Sequence, residues 1–311
     1  MEQKLKKVLQ YFSFFDYYPT FEEIYTFFPV KISKKKLKMI FEAKKYTVGE
    51  YNKTSQKSKV KSQKLKSKVK SNNVTIEQWN NLFKRQQISK NKLNSLRFKL
   101  YIKFLSFFPQ IKLIGLSGSI AMMNADLDDD IDLFIITSKN RLFTARFLAT
   151  IFAFIMGLKR KKGLQKAPGK VCLNLFFDES DLRVPKFKQI EYVAHEILQM
   201  KPIIIKSNVY EQFLKANDWV LKLFPNAALP VILRVKPEGS LAYARKSETS
   251  SEILHFVQND KVGDCLENLL KNLQLSLIRR HKTTEIITDS QLWFHPVDFG
   301  KKIKTMSLRT L

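Results

Sequence analysis

Apolar residues recur at helical spacing along the first part of the chain. In the first predicted helix, over residues 2–14, they lie three and four positions apart and share one face: Leu5, Val8, Leu9 and Phe12. Two further short helices follow with tight connections, so the segment 1–50 is predicted to be a helical, helix-turn-helix-like module. Such modules bind DNA in some proteins and serve as packing units in others, and this pattern does not decide between the two.

Capping signals place the starts of the second and third helices. Thr20 and Glu23 form a Thr-x-x-Glu capping box, which satisfies backbone N–H groups at a helix start and predicts a helix through Phe28. Ser33 is a suitable N-cap for a helix over Lys34–Ala43. These capping signals therefore define where the second and third predicted helices begin.

Continuous apolar runs replace the helical spacing after residue 110. They predict strands at about 111–117, 130–136 and 170–177, with a last short strand around 291–295. The predicted fold is therefore α+β, a mixed sheet flanked by helices. The remaining helices are predicted as follows: from the Thr75-x-x-Gln78 capping box to Phe108 with a break near Ile88-Ser89, then 142–158, 185–201 beginning at Pro185, 209–223, and 264–280.

Composition adds a strong basic charge to this picture. The 311 residues include 55 Lys and Arg against 28 Asp and Glu, a formal net charge of +27. Such a charge favours anionic partners, including RNA, DNA, nucleotides or an anionic membrane face, although a basic tail on an ordinary enzyme would give the same count. Two cysteines provide no disulfide framework, and the first residues lack a signal-peptide pattern, so we expect a cytoplasmic protein.

Two segments bear on nucleic-acid and membrane contact. Residues 51–76 contain no acid and carry a near-repeat of Ser-Lys-Val-Lys-Ser, as expected for a wing that grips phosphates or for a solvated insertion, here assigned to 51–74. The apolar stretch 142–158 has only twelve uncharged residues after Arg146, too few to span a bilayer. We therefore expect no stable membrane insertion, with peripheral contact left open.

The most informative residues are Gly118-Ser119 and Asp130-x-Asp132, each at the edge of a predicted strand. Two acids spaced i, i+2 on a strand point to the same face, and they repel unless a cation lies between them. Mg²⁺ prefers such oxygens and shares them with phosphates. Gly118 allows backbone N–H groups to approach an anion, and a helix starting near Ser119 adds its positive end. An exposed acidic loop is the alternative, but it does not explain Asp132 within an apolar strand.

This pattern resembles the signature of the DNA-polymerase-β-like nucleotidyltransferase superfamily. The resemblance covers residues 110–225 and implies that Asp130 and Asp132 hold Mg²⁺, or Mn²⁺, against an NTP whose phosphates bind Gly118 and Ser119. The implied reaction moves an NMP from the NTP to an acceptor hydroxyl. The predicted units are then the helical module 1–50, a nucleotidyltransferase core with its lead-in helix over 75–225, and a helical extension over 226–311. Within the extension, 246–262 has the character of an inserted genomic repeat.

The third carboxylate of that family has no clear counterpart. Asn174 occupies the expected position on the third strand, whereas Asp178 lies four residues further, about 13 Å along a strand. Asn174 is the preferred candidate, and it supports an alternative in which the protein binds nucleic acid or regulates without catalysis. Cys172 is expected to be a core residue, and His195 a structural one.

Overall fold

The N-terminal segment folds into three helices in this computed structural model, which describes residues 1–43, 76–160, 167–227, 260–279 and 285–294. They are α1 (Glu2–Ser13), α2 (Phe21–Thr26) and α3 (Lys34–Ala43). The predictions for Thr75, for 51–74, for most of 246–262 and for the last residues lie outside the described parts.

Both predicted caps of the N-terminal helices are confirmed. The Glu23 N–H donates to Thr20 Oγ1 at 3.2 Å, and the Thr20 N–H donates to Glu23 Oε2 at 2.7 Å. The Lys36 N–H donates to Ser33 Oγ at 3.3 Å. Local sequence therefore sets where these helices begin, because each cap satisfies an N–H that has no partner within the helix. The helix-turn-helix-like character of the module stays a prediction.

Two helices lead into the sheet, α4 (Ile76–Asn94) and α5 (Leu96–Phe107). The predicted break near Ile88-Ser89 is wrong, because Ser89 Oγ donates to the Arg85 carbonyl at 2.9 Å and the helix continues through it. The break falls at Ser95, whose extended backbone and hydroxyl cap the Phe98 N–H and start a new helix.

A mixed six-stranded sheet follows, confirming the α+β class. Its strands are β1 (Ile111–Leu116), β2 (Ile131–Thr137), β3 (Val171–Asp178), β4 (Lys201–Ile205), β5 (Ile286–Ile287) and β6 (Gln291–Trp293), in the spatial order β4-β1-β2-β3-β6-β5. β1 is antiparallel to both β2 and β4, whereas β2 and β3 are parallel. The antiparallel pairing of β1 and β2 brings Gly118, just after the end of β1, next to Asp132 at the start of β2.

The other described helices flank the sheet, and some of the predicted helices have different boundaries in the structure. They are α6 (Gly118–Ala121), α7 (Leu142–Ile155), α8 (Glu191–Gln199), α9 (Val209–Ala216), α10 (Val220–Leu223) and α11 (Asp260–Arg279). The helix predicted from Pro185 is instead a 3₁₀ turn at Lys186–Lys188, because Ile190 is extended and separates it from α8. The stretch 209–223 divides at Asn217, whose buried side chain bonds to the backbone of Val184 and Leu182.

Apolar side chains cover both faces of the sheet. The N-terminal helices α1–α3 pack in one cluster with α8–α10 and with Phe134 and Phe177 of the sheet. On the opposite face, α5 and α7 pack against Ile131, Leu133 and Ile135. Hence the N-terminal helices share their core with the sheet. In the described ranges, no helix combines the length and apolar character needed to cross a membrane.

Candidate functional site

The turn after β1 lies directly against Asp132. The Ser117 N–H donates to the Asp132 carbonyl at 3.1 Å, which ties the end of β1 to the start of β2. Gly118 has a φ of +62°, and a Cβ atom placed there would lie 2.8 Å from Asp132 Oδ2. Glycine is therefore needed both for the left-handed backbone and for the space beside the carboxylate.

Three possible metal ligands meet beside this turn. One carboxylate oxygen each from Asp130 and Asp132, and Cys172 Sγ, lie within 4.8 Å of one another. We call these three residues the cation site. Cys172 is included because β2 and β3 are parallel and pair Asp132 with Cys172. Cys172 is buried, as predicted, but no local sequence pattern encodes the pairing register that places it beside the aspartates.

An arginine from the same chain contacts the cation site. Arg160 NH1 donates to Asp130 Oδ2 at 2.6 Å and approaches Cys172 Sγ to 3.7 Å. Within the sequence this residue belongs to a basic run and shows no sign of a specific role. Its guanidinium supplies positive charge where two acidic side chains would otherwise repel each other.

The two groups predicted to hold phosphate already bond to carboxylates. The Gly118 N–H donates to Glu196 Oε2 at 3.2 Å, and Ser119 Oγ donates to Asp129 Oδ2 at 2.9 Å. The predicted dipole contribution is small, since α6 has only four residues and few peptide dipoles align. The turn thus binds carboxylates here through an N–H and a hydroxyl, and Glu196 was missed by the sequence analysis.

Burial, together with neighbouring negative charges, shifts the pKa values of acidic groups at the site. Burial, followed by the charges of Asp130 and Glu196, raises the pKa of Asp132 to about 8. Burial also raises the pKa of Glu196, although hydrogen bonds from Gly118 and Tyr192 act against this. Burial and the two aspartates raise the pKa of the Cys172 thiol. A divalent cation would relieve this accumulation of acids.

The two candidates for the third ligand lie in different places. Asp178 pairs with Thr137 at the far end of β3, about 16 Å along the strand from the Asp132 level. Its buried carboxylate instead accepts the N–H groups of Asn140 at 2.7 Å and Ser180 at 2.8 Å. Asp178 is therefore a loop-stabilising acid remote from the cation site.

Asn174 lies in the same strand, close to the cation site in sequence. The register shifts between the Asp132–Cys172 and Phe134–Leu175 pairs, so Leu173 and Asn174 together oppose one residue of β2. Cys172 is therefore the residue paired with Asp132, and Asn174 lies in the bulge opposite Leu133. The role of Asn174 as a third ligand stays a prediction.

Helix α4 holds the acidic loop before β2. Lys92 Nζ donates to the carbonyls of Asp126 and Asp129, and the Ala125 N–H donates to Ser89 Oγ at 3.0 Å. Burial lowers the pKa of Lys92, and the surrounding aspartates oppose this shift. The lead-in helix therefore positions the loop that carries Asp129 and Asp130.

His195 lies away from the cation site, in the core under the N-terminal helices. Its ring stacks on Tyr11 at 3.6 Å and on Phe27 at 4.0 Å between centroids. Its Nδ1 atom is buried and has no hydrogen-bond partner in the described part of the chain. His195 is accordingly part of an aromatic stack.

Comparison of the chain with protein-family models, curated proteins and solved structures gives no match.

Proposed function

We propose that this protein is a Mg²⁺-dependent nucleotidyltransferase that moves an NMP from an NTP to an acceptor hydroxyl. The observation that carries the proposal is the contact between Gly118 and Asp132 beside a second acid, Asp130. A turn that presents an N–H and a hydroxyl next to paired carboxylates suits a metal-bound triphosphate.

The donor set fits Mg²⁺ in part. The carboxylates of Asp130 and Asp132 are oxygen ligands of the kind that Mg²⁺ prefers, and they would hold it, with Mn²⁺ as an alternative. When bound, the ion would supply positive charge to the phosphate oxygens. The thiol of Cys172 is a poor ligand for Mg²⁺ and does not contribute to this fit.

The chain's own groups would then position the triphosphate. The Gly118 N–H and Ser119 Oγ would donate to phosphate oxygens, replacing the carboxylates of Glu196 and Asp129 that accept these protons now. The acceptor oxygen would form the new bond to the α-phosphorus while the bond to pyrophosphate breaks, and the proton of the acceptor hydroxyl would pass to solvent. The acceptor could be RNA, a small molecule or a protein side chain, and the net charge of +27 favours a nucleic acid.

A second candidate function is a nucleic-acid-binding or regulatory protein without catalysis. It is favoured by the pairing of Asp132 with Cys172, since a thiol stands where a third carboxylate would otherwise face the aspartates. The bonds of Gly118 and Ser119 to internal carboxylates also favour it, because a substrate must displace them.

Label transfer from NTPs tests the two candidates. The protein is incubated with labelled NTPs, Mg²⁺ and total RNA, in parallel with Asp130→Asn, Asp132→Asn and Asp128→Asn. Asp128 is exposed in the same loop and is not one of the three residues of the cation site, so its variant makes the same charge change without removing a ligand. Transfer by the parent and Asp128→Asn, but by neither other variant, supports the enzyme. Salt-sensitive RNA binding by all four without transfer favours the second function.

A further inference from the structure

We propose that the cation site takes a thiophilic divalent cation of the zinc class and binds it more tightly than Mg²⁺. The proposal rests on the cation site of the proposed function, but it requires no transfer step. In a tetrahedral site, two ligand atoms of one Zn²⁺ are separated by about 3.3–3.8 Å, since each Zn–ligand bond is about 2.0–2.3 Å. The three ligand atoms already lie within 4.8 Å of one another, so small side-chain movements bring them into range.

The backbone holds the sulfur beside the carboxylates. Asp132 and Cys172 are paired residues on neighbouring parallel strands, and Cys172 is buried. Because strand pairing fixes their separation, little ordering is needed when a cation binds. The thiol would bind as thiolate and release its proton to solvent, which balances the step.

Arg160 supplies positive charge at the cation site, where a bound cation would otherwise supply it. One guanidinium nitrogen contacts both Asp130 Oδ2 and Cys172 Sγ, two of the three ligand atoms. The arginine side chain is 36% exposed, whereas that of Asp130 is 14% exposed, so the cation can displace Arg160 toward solvent while the acid stays in place.

Ligand chemistry decides which cation is preferred. Thiolate is a soft ligand that binds Zn²⁺ and similar ions strongly, whereas Mg²⁺ selects oxygen and retains its waters. A site with one sulfur and two carboxylate oxygens resembles the mixed donor sets that bind Zn²⁺. The one sulfur and two carboxylate ligands of the cation site therefore favour a zinc-class cation over Mg²⁺.

Cd²⁺, a thiophilic probe, tests the proposal through its ultraviolet thiolate-to-metal charge-transfer band. The chain has two cysteines, and Cys265 is the exposed one, on α11. In the full-length Cys265→Ser variant we expect a charge-transfer band that saturates at one equivalent of Cd²⁺ and persists in excess Mg²⁺. The double variant Cys172→Ser/Cys265→Ser should show no band.

Asp132→Asn in the Cys265→Ser background tests the carboxylate contribution. Its Cd²⁺ affinity should fall about tenfold or more, as even outer-sphere changes at metal sites have such effects. The proposal is overturned by a missing band in Cys265→Ser, by displacement with Mg²⁺, by a band without Cys172, or by unchanged affinity in Asp132→Asn. Failure of the transferase proposal would leave the band intact, so the two outcomes are distinguishable.

Discussion

Gly118 lies against the Asp132 carboxylate with no room for a side chain between them. A Cβ at residue 118 would be 2.8 Å from Asp132 Oδ2, and the backbone φ of +62° is unfavourable for any residue with a Cβ. The contact joins Gly118-Ser119 to Asp130-x-Asp132, two motifs that are separate in the sequence. It places the turn after β1 directly beside the cation site.

Gly118→Ala should therefore impair both folding and cation binding. The backbone strain alone is expected to cost about 1 kcal/mol or more in free energy of unfolding. The added methyl group should also push the Asp132 carboxylate away and weaken Cd²⁺ or Mn²⁺ binding. Urea unfolding measures the first effect, and cation titration the second.

Gly157→Ala is the matched control for this variant. Gly157 has a similar φ of +64°, but a Cβ there would meet no atom within 4 Å. It should show the strain cost with unchanged cation affinity. Equal cation affinities in the two variants would contradict the proposed role of the Gly118 contact.

Asp178→Ala should lower stability without affecting the cation site. The buried carboxylate accepts the Asn140 and Ser180 N–H groups, and a hydrogen bond to a charged group contributes about 1.5–3 kcal/mol. We expect a loss of a few kcal/mol in urea unfolding. Because Asp178 is remote from Asp132, label transfer per folded molecule should match the parent. A specific loss of transfer in folded Asp178→Ala would make this acid part of the site after all.

The sequence predicts those parts of the site that are encoded locally. Gly118, Ser119, Asp130 and Asp132 each adjoin a strand with a clear apolar pattern, and their positions follow once the two strands are antiparallel. No such signal exists for Glu196, which meets Gly118 from 78 residues away.

Strand pairing limits the rest of the site prediction. Cys172 pairs with Asp132 through a parallel register, and Asn174 lies in a one-residue bulge further along the same strand. Helix ends were predicted well where a cap is local, as at Thr20, and poorly where tertiary bonds decide, as at Asn217. The parts of the site and the helix ends that the sequence does not predict are therefore those decided by contacts between segments distant in the sequence.

Glu267→Ala should destabilise the chain by about 2–4 kcal/mol. The buried Glu267 carboxylate, on α11, accepts the N–H groups of Phe143 at 2.6 Å and Thr144 at 2.8 Å and so caps α7. Removing it leaves these donors unpaired and weakens the contact between the two helices. Urea unfolding should show the loss, whereas Asn268→Ala at the next, exposed position should be neutral. Equal stabilities of the two variants would argue against the cap.

His195→Phe should remove an acid sensitivity of folding. Burial, followed by the charge of Lys7 on α1, holds the pKa of His195 well below its ordinary value of about 6.5. The unfolded state then binds more protons, so stability falls as pH drops below about 6.5, by up to about 1.4 kcal/mol per pH unit. The Tyr11 and Phe27 rings stacked on His195 carry no negative charge that would favour its protonation. Two acids, Glu191 and Glu196, lie on the same helix as His195, and with them present the pKa of His195 is still lowered.

The measurement for His195 is urea unfolding from pH 7 to 5. The difference between parent and His195→Phe should widen as pH falls, because phenylalanine keeps the stack and cannot titrate. His195→Gln should also lose the pH term, but it should be less stable throughout because it lacks a ring. If the free energy of unfolding depended on pH in the same way in the parent and in both variants, the lowered pKa of His195 would be contradicted.

Asp132→Asn should be more stable than the parent in the absence of divalent cations, although the proposed function predicts that it loses label transfer. Burial and the charges of Asp130 and Glu196 raise the pKa of Asp132 to about 8, so the folded state holds a proton that the unfolded state releases near pH 4. The parent therefore loses stability as pH rises from about 4 to 8, whereas asparagine cannot titrate. At pH 8 the variant's advantage should exceed about 1.4 kcal/mol, the value of one pKa unit.

Urea unfolding with and without a divalent cation separates this effect from a general gain in stability. A cation at the site should stabilise the parent and leave Asp132→Asn nearly unchanged, which narrows or reverses the difference. Asp128→Asn makes the same change at an exposed position and should match the parent in both conditions. A variant less stable than the parent at pH 8 without cation would mean that Asp132 supports the fold by itself. A variant more stable than the parent without cation, with a difference that narrows or reverses when the cation is added, would support cation binding as the role of Asp132.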